Sequence, residues 1–526
     1  MKVLHYISIL LLLLCLAACK DSRIEDLTEQ RVSGDSLYVQ LTLDLSKKSA
    51  TRANPNGGEQ GDGWEIGYDN EKAIYDFCLF VLNGHEINDE ATVSFVAKRY
   101  FSHDDVLTAI PDPYDENINI KGVEKTVFSY VFDIAVPIGA DAKEFTENEE
   151  RLRQLRFIVA ANVGDITSSV STLGALRDYQ PAQSFSPGET LAEYSNFVMS
   201  NENDALYYSG FGTIGDPVRL HVTIERLAAR IDFKRDNYSR ISDDGKSLVY
   251  QLKNSENTVL SELYLDELQI VNGSIQPSYL IKRVANDING TNLTYLGDET
   301  PTPNGVATNY VIDPYSAQKT DANRTNNTLL TTLFGTTLTP RFDLDPTKEN
   351  QILGYVNENT FDRTCTFAEY TTGVQLKCRF LPKHNYYISY DKENDALTTG
   401  TYTLGETFYM VELNTPTIDE SERLYFKNKL DADAYATNTA KGHFGKVVKY
   451  EGGVCYYYVY MRHSNKVEVV HNTMEFGIVR NNIYRFSIDA ATGPGTPEPD
   501  PRHPEELKAR IYVKKWISVE HPIIYV

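Results

Sequence analysis

The chain has two tryptophans, five methionines and six cysteines in 526 residues. No cysteine falls in a C-x-x-C pair, so the sequence offers no zinc-ribbon ligand set. It contains no G-x-S-x-G elbow, no H-E-x-x-H, no P-loop and no G-x-G-x-x-G after a strand. The usual signatures of hydrolases, metalloproteases and nucleotide-binding enzymes are therefore missing. The histidines are scattered; His463 and His471 show no ligand spacing and read as surface residues. Asp343, Asp345 and Glu349 lack the glycine and terminal glutamate of a calcium loop and read as a solvated acidic turn. The expectation is a non-enzyme with no metal and no cofactor. A basic excess is also missing: 51 Lys and Arg stand against 73 Asp and Glu, a formal charge of −22. Nucleic-acid binding needs a basic patch and is not expected, whereas an acidic exterior suits a secreted surface protein. Beyond the first 18 residues no apolar run is long enough to cross a bilayer, which takes ~20 residues.

What is present begins at the N-terminus. Lys2, an apolar stretch from Ile7 and small residues before Cys19 describe a secretory signal peptide. Leu16-Ala17-Ala18-Cys19 reads as a lipoprotein cleavage box, with Cys19 as the lipidated first residue and Cys15 discarded. Residues 35–46 form an alternating strand. Arg52 follows in the polar run SKKSATRANPNGGEQGDG, an exposed stretch of the kind proteases cut. A lipidation site, one strand and then a cuttable arginine suggest a strand removed after export.

The rest is short strands between polar loops, the pattern of sandwich domains. Apolar or alternating segments lie at 73–83, 155–163, 218–233 and 263–271. Others surround Cys378, Tyr409, Val454 and Asn481. Helix-like stretches are few, at 149–154 and near Tyr435. The expected order is a signal peptide (1–18), a propeptide with the removable strand (19–52) and an N-terminal β-sandwich (53–240). A C-terminal β-sandwich (241–492) and a Pro-rich linker with a last strand (493–526) complete it. The polar stretch 234–247 reads as the interdomain linker. Residues 492–504, TGPGTPEPDPRHP, read as a spacer that keeps the tail off the core.

Two segments at opposite ends echo each other. In DSLYVQLTLDL the residues Leu37, Val39, Leu41, Leu43 and Leu45 give one apolar face; in ELKARIYVKKWISV the residues Leu507, Ala509, Ile511 and Val513 do the same. Both could be ordinary edge strands. Lys515 interrupts the alternation of the tail and Pro522 blocks a ladder position. Cys365 and Cys378 flank CTFAEYTTGVQLKC, which reads as a hairpin with Thr371 and Thr372 at its tip. A disulfide between them and a pair of buried thiols are both open. Tyr456, Tyr457 and Tyr458 could stack on sugars or alternate between core and surface.

These features together resemble the Bacteroidales fimbrillins, the stalk subunits of major and minor fimbriae. The lipobox, ATRA at 50–53, IERLAARIDF at 224–233 and GGVCYYYVYMRHSN at 452–465 carry the resemblance. So do GIVRNNIYRFSI at 477–488, the Pro-rich linker and the terminal strand with its tryptophan. Val479-Arg480-Asn481-Asn482-x-Tyr484 is the most specific element. Size, the tyrosine-rich C-terminal part and the long linker lean toward the minor-fimbrium type. Residues 285–358 match nothing in it.

The resemblance implies an all-β fold of two transthyretin-like β-sandwich domains with a C-terminal donor-strand tail. It implies a precursor lipidated at Cys19 in the outer membrane and cut between Arg52 and Ala53 by an arginine-specific protease. The groove left by the lost strand would take Leu507, Ala509, Ile511 and Val513 of a neighbour, giving an extracellular fimbrium that supports adhesion. Partners would be other copies, related subunits and host or bacterial surface receptors. A tip, accessory or anchor adhesin and a surface glycan-binding lipoprotein are the alternatives.

Overall fold

The computed structural model describes residues 36–45, 64–83, 92–107, 130–137, 155–183, 196–202, 206–207, 218–290, 293–295, 308–335, 342–413, 420–464, 471–500 and 507–517. Cys19, Arg52 and Ala53, and the helix expected at 149–154, lie outside them.

Strands dominate. The first half contains β1 (Ser36–Leu45), β2 (Trp64–Ile66), β3 (Phe77–Asn83), β4 (Phe95–Phe101), β5 (Tyr130–Pro137), β6 (Leu155–Ala161), β7 (Met199–Asn201), β8 (Leu206–Tyr207) and β9 (Val218–Arg226). The chain continues through β10 (Ala229–Lys234), β11 (Arg240–Ile241), β12 (Leu248–Lys253), β13 (Val259–Val271), β14 (Arg283–Ala285), β15 (Leu293–Tyr295), β16 (Tyr310–Val311), β17 (Phe342–Asp343) and β18 (Asn350–Val356). It ends with β19 (Gly373–Pro382), β20 (Tyr386–Asp391), β21 (Ala396–Thr399), β22 (Phe408–Leu413), β23 (Leu424–Phe426), β24 (Gly445–Tyr450), β25 (Val454–Tyr460), β26 (Asn482–Ala491) and β27 (Leu507–Ile517). The α-helices are short: α1 (His103–Leu107), α2 (Leu173–Asp178), α3 (Asn327–Phe334) and α4 (Lys429–Ala436). The last is the one read near Tyr435.

The N-terminal half is one eight-stranded sheet in the order β4-β3-β6-β7-β9-β1-β5, with β8 on β6. Its two faces carry separate cores. Leu41, Leu43, Phe77, Phe157, Leu220, Val222 and Ile224 line one; Cys78, Phe80, Ile158 and Leu176 of α2 line the other. Period-two alternation produces this division. Asn162 ends β6 in a left-handed conformation, φ 58°. Its amide ties the turn down: Oδ1 accepts from Tyr75 N at 2.7 Å, and Nδ2 donates to Phe197 O at 2.7 Å.

The C-terminal half is a two-sheet sandwich. The sheet β18-β10-β26-β27-β2 faces β11-β12-β13-β19-β25 across one core containing Phe233, Leu263, Val374, Phe380, Phe486, Ile511 and Val513. Between β19 and β25 the chain leaves to build a separate five-stranded sheet, β21-β20-β23-β22-β24, which α4 covers. The stretch 285–358 supplies β15, β16, α3, β17 and β18, so part of it belongs to the sandwich.

The long apolar run 218–233 is two strands in two sheets. It changes sheet at Leu227 and Ala228: β9 pairs β1 and β7, and β10 pairs β18 and β26. The expected boundary at 240/241 placed β10 in the first unit, but its sheet partners belong to the second. The polar stretch 234–247 does not join two domains. It forms the β10–β11 loop, β11 and the following turn, all within the C-terminal half.

Candidate functional site

Two strands matter for the reading above, the first and the last. β1 runs parallel to β9, with Val39 opposite Val218 and Leu45 opposite Ile224. On its other side it is antiparallel to β5, from Ser36↔Pro137 to Leu43↔Tyr130. Among the described strands β5 joins the sheet only through β1. Leu41 and Leu43 are fully buried, and each such leucine contributes about 1.5–3 kcal/mol. Removing β1 would orphan the facing N–H and C=O groups of β5 and β9 and uncover an apolar trough.

The tail occupies a different place. β27 is antiparallel to β26 from Asn482↔Lys515 to Ala491↔Leu507, and parallel to β2 at Lys515, Trp516 and Ile517. Leu507, Ile511 and Val513 are buried in the C-terminal core with Ala509 packed against it, while Lys508 and Arg510 point out. The alternating face is thus real, and it is satisfied at home. The spacer reading of 492–504 is corrected in its described part. Gly493 O accepts from Tyr457 Oη at 2.6 Å, Gly495 O accepts from Tyr450 Oη at 2.8 Å, and Thr496 bridges to Tyr456. A Cβ at Gly495 would lie 2.1 Å from Tyr456 O, so only glycine lets the stretch run this close to β25.

The end of the tail is held where the two halves meet. Trp516 is fully buried, stacked on Tyr355 at 5.8 Å and edge-on to Phe197 at 5.4 Å. Its Nε1 donates to Glu71 Oε2 at 3.1 Å. The Arg226 guanidinium carbon sits 4.3 Å from the ring centroid, a cation–π contact. Arg226 also donates from Nε to Glu71 O at 2.6 Å, and from Nη1 to Trp516 O at 3.1 Å and Asn481 Oδ1 at 3.0 Å. Asn481, at φ 56°, donates its N–H to Ala228 O, and its carbonyl accepts from Trp516 N at 3.1 Å. One residue therefore links the sheet change in 227–228, the start of β26 and the tail.

Glu71 is the hub. Its Oε1 and Oε2 both accept from Arg230 Nη1, at 3.1 and 3.0 Å, and it also accepts from Tyr355 Oη at 2.7 Å and from Tyr68 N at 2.7 Å. Arg230 forks onto Asp232 and reaches Glu65 at 2.6 Å; Arg485 bridges the same two carboxylates. Every charge here has an opposite neighbour, which is the condition for burying so many. Burial pulls the Arg226 guanidinium down to about 10, against Glu71, which pulls it up. Burial also opposes the charge on Arg230, but Asp232 and Glu71 outweigh it and hold that guanidinium above its ordinary value. Glu65 is lifted by burial and pulled down further by Arg485, Arg230 and Lys514; the net direction is down.

Lys515, the residue that broke the alternation, is buried and paired with Glu202 of the N-terminal half. From Lys515 on, the tail serves the other domain, which is why its pattern changes there.

Other sequence readings fare unevenly. Cys365 lies in a 3-10 turn beside Phe361 and Tyr370, Cys378 lies in β19, and residues 366–372 are not a strand. The expected hairpin is absent. Cys378 instead stands opposite Cys455. His463 is fully buried with Nδ1 2.8 Å from Tyr484 Oη, not a surface residue. Tyr457 and Tyr458 are buried and Tyr456 half-buried, an arrangement of packing and not a sugar platform. No group of ligands able to hold a metal ion occurs among the described residues, and no described helix is long and apolar enough to cross a membrane.

Glu71, Glu65 and Glu202 carried no sequence signal. Arg226, Arg230, Asn481 and Trp516 did, since they sit in the segments IERLAARIDF, GIVRNNIYRFSI and RIYVKKWISV. Residues 448–523, which hold β25, β26 and β27, match the family model described as "Major fimbrial subunit protein type IV, Fimbrillin, C-terminal". This segment is similar to the C-terminal part of the fimbrillins. Among curated proteins no relative matches. Solved structures with a similar arrangement include the tip fimbrial protein Mfa3 of Porphyromonas gingivalis with a C-terminal truncation. It is 11% identical, covering 91% of this chain and 100% of that one at a TM-score of 0.36. A fimbrilin of the same organism is 14% identical, covering 93% and 100% at 0.35. A fimbrial assembly protein of Parabacteroides distasonis is 10% identical, covering 70% and 100% at 0.27. At these scores the likenesses decide nothing about function. The all-β class of this chain stands on its own sheets.

Proposed function

We propose that this protein is a fimbrillin, a structural subunit of a cell-surface fimbria. It is exported as a precursor lipidated at Cys19, cut between Arg52 and Ala53, and joined to its neighbours by strand exchange. The observation that carries this is the position of β1. It is an internal strand, sandwiched between β5 and β9, and it precedes Arg52 in the chain. Cutting there frees it and leaves a slot that one strand with a single apolar face can fill, by β-strand addition. The tail has such a face in Leu507, Ala509, Ile511 and Val513. To serve a neighbour it must first leave β26. Such head-to-tail contacts do not close, so they build filaments. The partners are other fimbrial subunits, the outer membrane through the precursor's lipid, an arginine-specific protease and a surface receptor.

N-terminal sequencing of material sheared from the cell surface tests this. A start at Ala53 supports the stalk reading; a lipidated Cys19 on the surface-borne form overturns it in favour of an anchor or a glycan-binding lipoprotein.

The home docking of the tail favours a second reading, a terminal or accessory subunit that accepts a strand and keeps its own. One copy per filament would support it; many copies support the stalk.

A further inference from the structure

We propose that Cys378 and Cys455 are joined by a disulfide in the exported protein. The two residues are direct partners in the antiparallel pairing of β19 with β25. Directly opposed residues of an antiparallel pair have Cα atoms about 4.5–5.5 Å apart and side chains on one face. A disulfide needs about 4.4–6.8 Å. Both side chains are fully buried in the same core. The other two described cysteines are elsewhere: Cys78 in the core beneath α2, Cys365 beside Phe361 and Tyr370. Among the described cysteines no second pairing competes.

The position has a structural consequence. Between the end of β19 at Pro382 and the start of β25 at Val454 the described residues build the extra sheet β20 to β24 and α4, a lobe with its own small core. The bond would close this insertion at its base and fix β25 to β19. β25 is the strand against which residues 493–496 lie on their way to the tail.

The chemistry requires an oxidant, a protein disulfide of the export compartment. One cysteine thiolate attacks it and forms a mixed disulfide; the second thiolate displaces the partner's sulfur. Two thiols give up two electrons and two protons, and the partner leaves as a dithiol. The exchange belongs to the time before β25 docks. Afterwards burial pushes the Cys455 thiol up to about 12 and raises Cys378 as well, which leaves almost no thiolate. The same burial then protects the bond from reductants.

The inference rests on the export reading of the N-terminus and is independent of polymerisation. The test is alkylation of the protein recovered from cells after removal of the signal peptide, unfolded in denaturant without reductant, followed by mass spectrometry of its peptides. The expected result is alkylation at Cys78 and Cys365 only, with a peptide linking Cys378 to Cys455 that disappears on reduction. A Cys378→Ala/Cys455→Ala variant is expected to be exported and processed without that peptide, and its melting temperature is expected not to respond to reductant. Alkylation of all four cysteines in correctly processed protein, or a link through Cys365 or Cys78, would overturn the proposal while leaving export intact.

Discussion

Trp516, ten positions from the end of the chain, donates its indole N–H to Glu71, 445 residues earlier, at 3.1 Å. The contact closes the last strand over the line where the two sheets meet. It makes the tail part of the folded subunit and not an appendage. Any subunit that gives up this strand must break it, together with the pairing to β26 and the burial of Leu507, Ile511 and Val513.

Truncating Trp516 separates its ring packing from its hydrogen bond. Trp516→Ala removes a side chain packed by Tyr355, Phe197 and Arg226 and should weaken tail docking by about 3–5 kcal/mol. Trp516→Phe keeps an aromatic ring but leaves Glu71 without one donor, a loss of about 1–3 kcal/mol. Hydrogen exchange of the amides in β27 should show the alanine variant opening more than the phenylalanine variant, with β12 and β13 unchanged. Equal protection of β27 in both variants and the parent would refute the anchoring role.

Lys515 and Glu202 form a buried pair across the two halves. Lys515→Met alone strands a carboxylate and should cost about 3–5 kcal/mol in thermal denaturation. The double change with Glu202→Met should recover most of that loss, because two apolar groups then replace two compensated charges. A double variant no more stable than Lys515→Met would show that the pair does not act as a unit.

Acid should loosen the same junction. Glu65 titrates below its ordinary value in the folded chain, since Arg485, Arg230 and Lys514 outweigh the upward pull of burial. A carboxylate with a depressed folded pKa adds stability that is complete above its unfolded value and is lost as pH falls through the folded one. The loss should therefore appear below 4.5, the unperturbed value, and should be smaller in Glu65→Gln. Urea unfolding at a series of pH values measures it; identical pH profiles for the two chains would contradict the assignment.

β1 offers a test that depends on the cut. Leu43 is fully buried in the core on one face of the N-terminal sheet. Leu43→Asp should destabilise the uncut precursor by several kcal/mol, since a charge enters an apolar core. After cleavage at Arg52 and loss of β1 the substitution is gone with the strand, and the two processed proteins should melt together. A difference that persists after cleavage would mean the strand stays bound.

Much of this was legible because it depends on period two. The alternation in residues 37–45 and 507–513 marks which side chains enter a core, and the structure buries Leu41, Leu43, Leu507, Ile511 and Val513. What alternation does not encode is the identity of the core. Both strands look alike, yet one lies in the N-terminal sheet and the other in the C-terminal sandwich. The residues that decide the tail's placement, Lys515 and Trp516, break the pattern. Their partners Glu202 and Glu71 lie 313 and 445 residues away, beyond any local signal. The linker misled for a related reason. Proline and glycine exclude a sheet interior, but they do not prevent a chain from lying along an edge with its carbonyls accepting from tyrosines.

The claim that one subunit's tail replaces another's first strand is tested most directly by competition. Cleaved protein is allowed to assemble with and without a synthetic peptide of residues 36–45, and the products are separated on an unheated gel. The account expects a ladder of polymers without the peptide and monomers in its presence, because the peptide refills the slot between β5 and β9. A ladder unchanged by saturating peptide would contradict it.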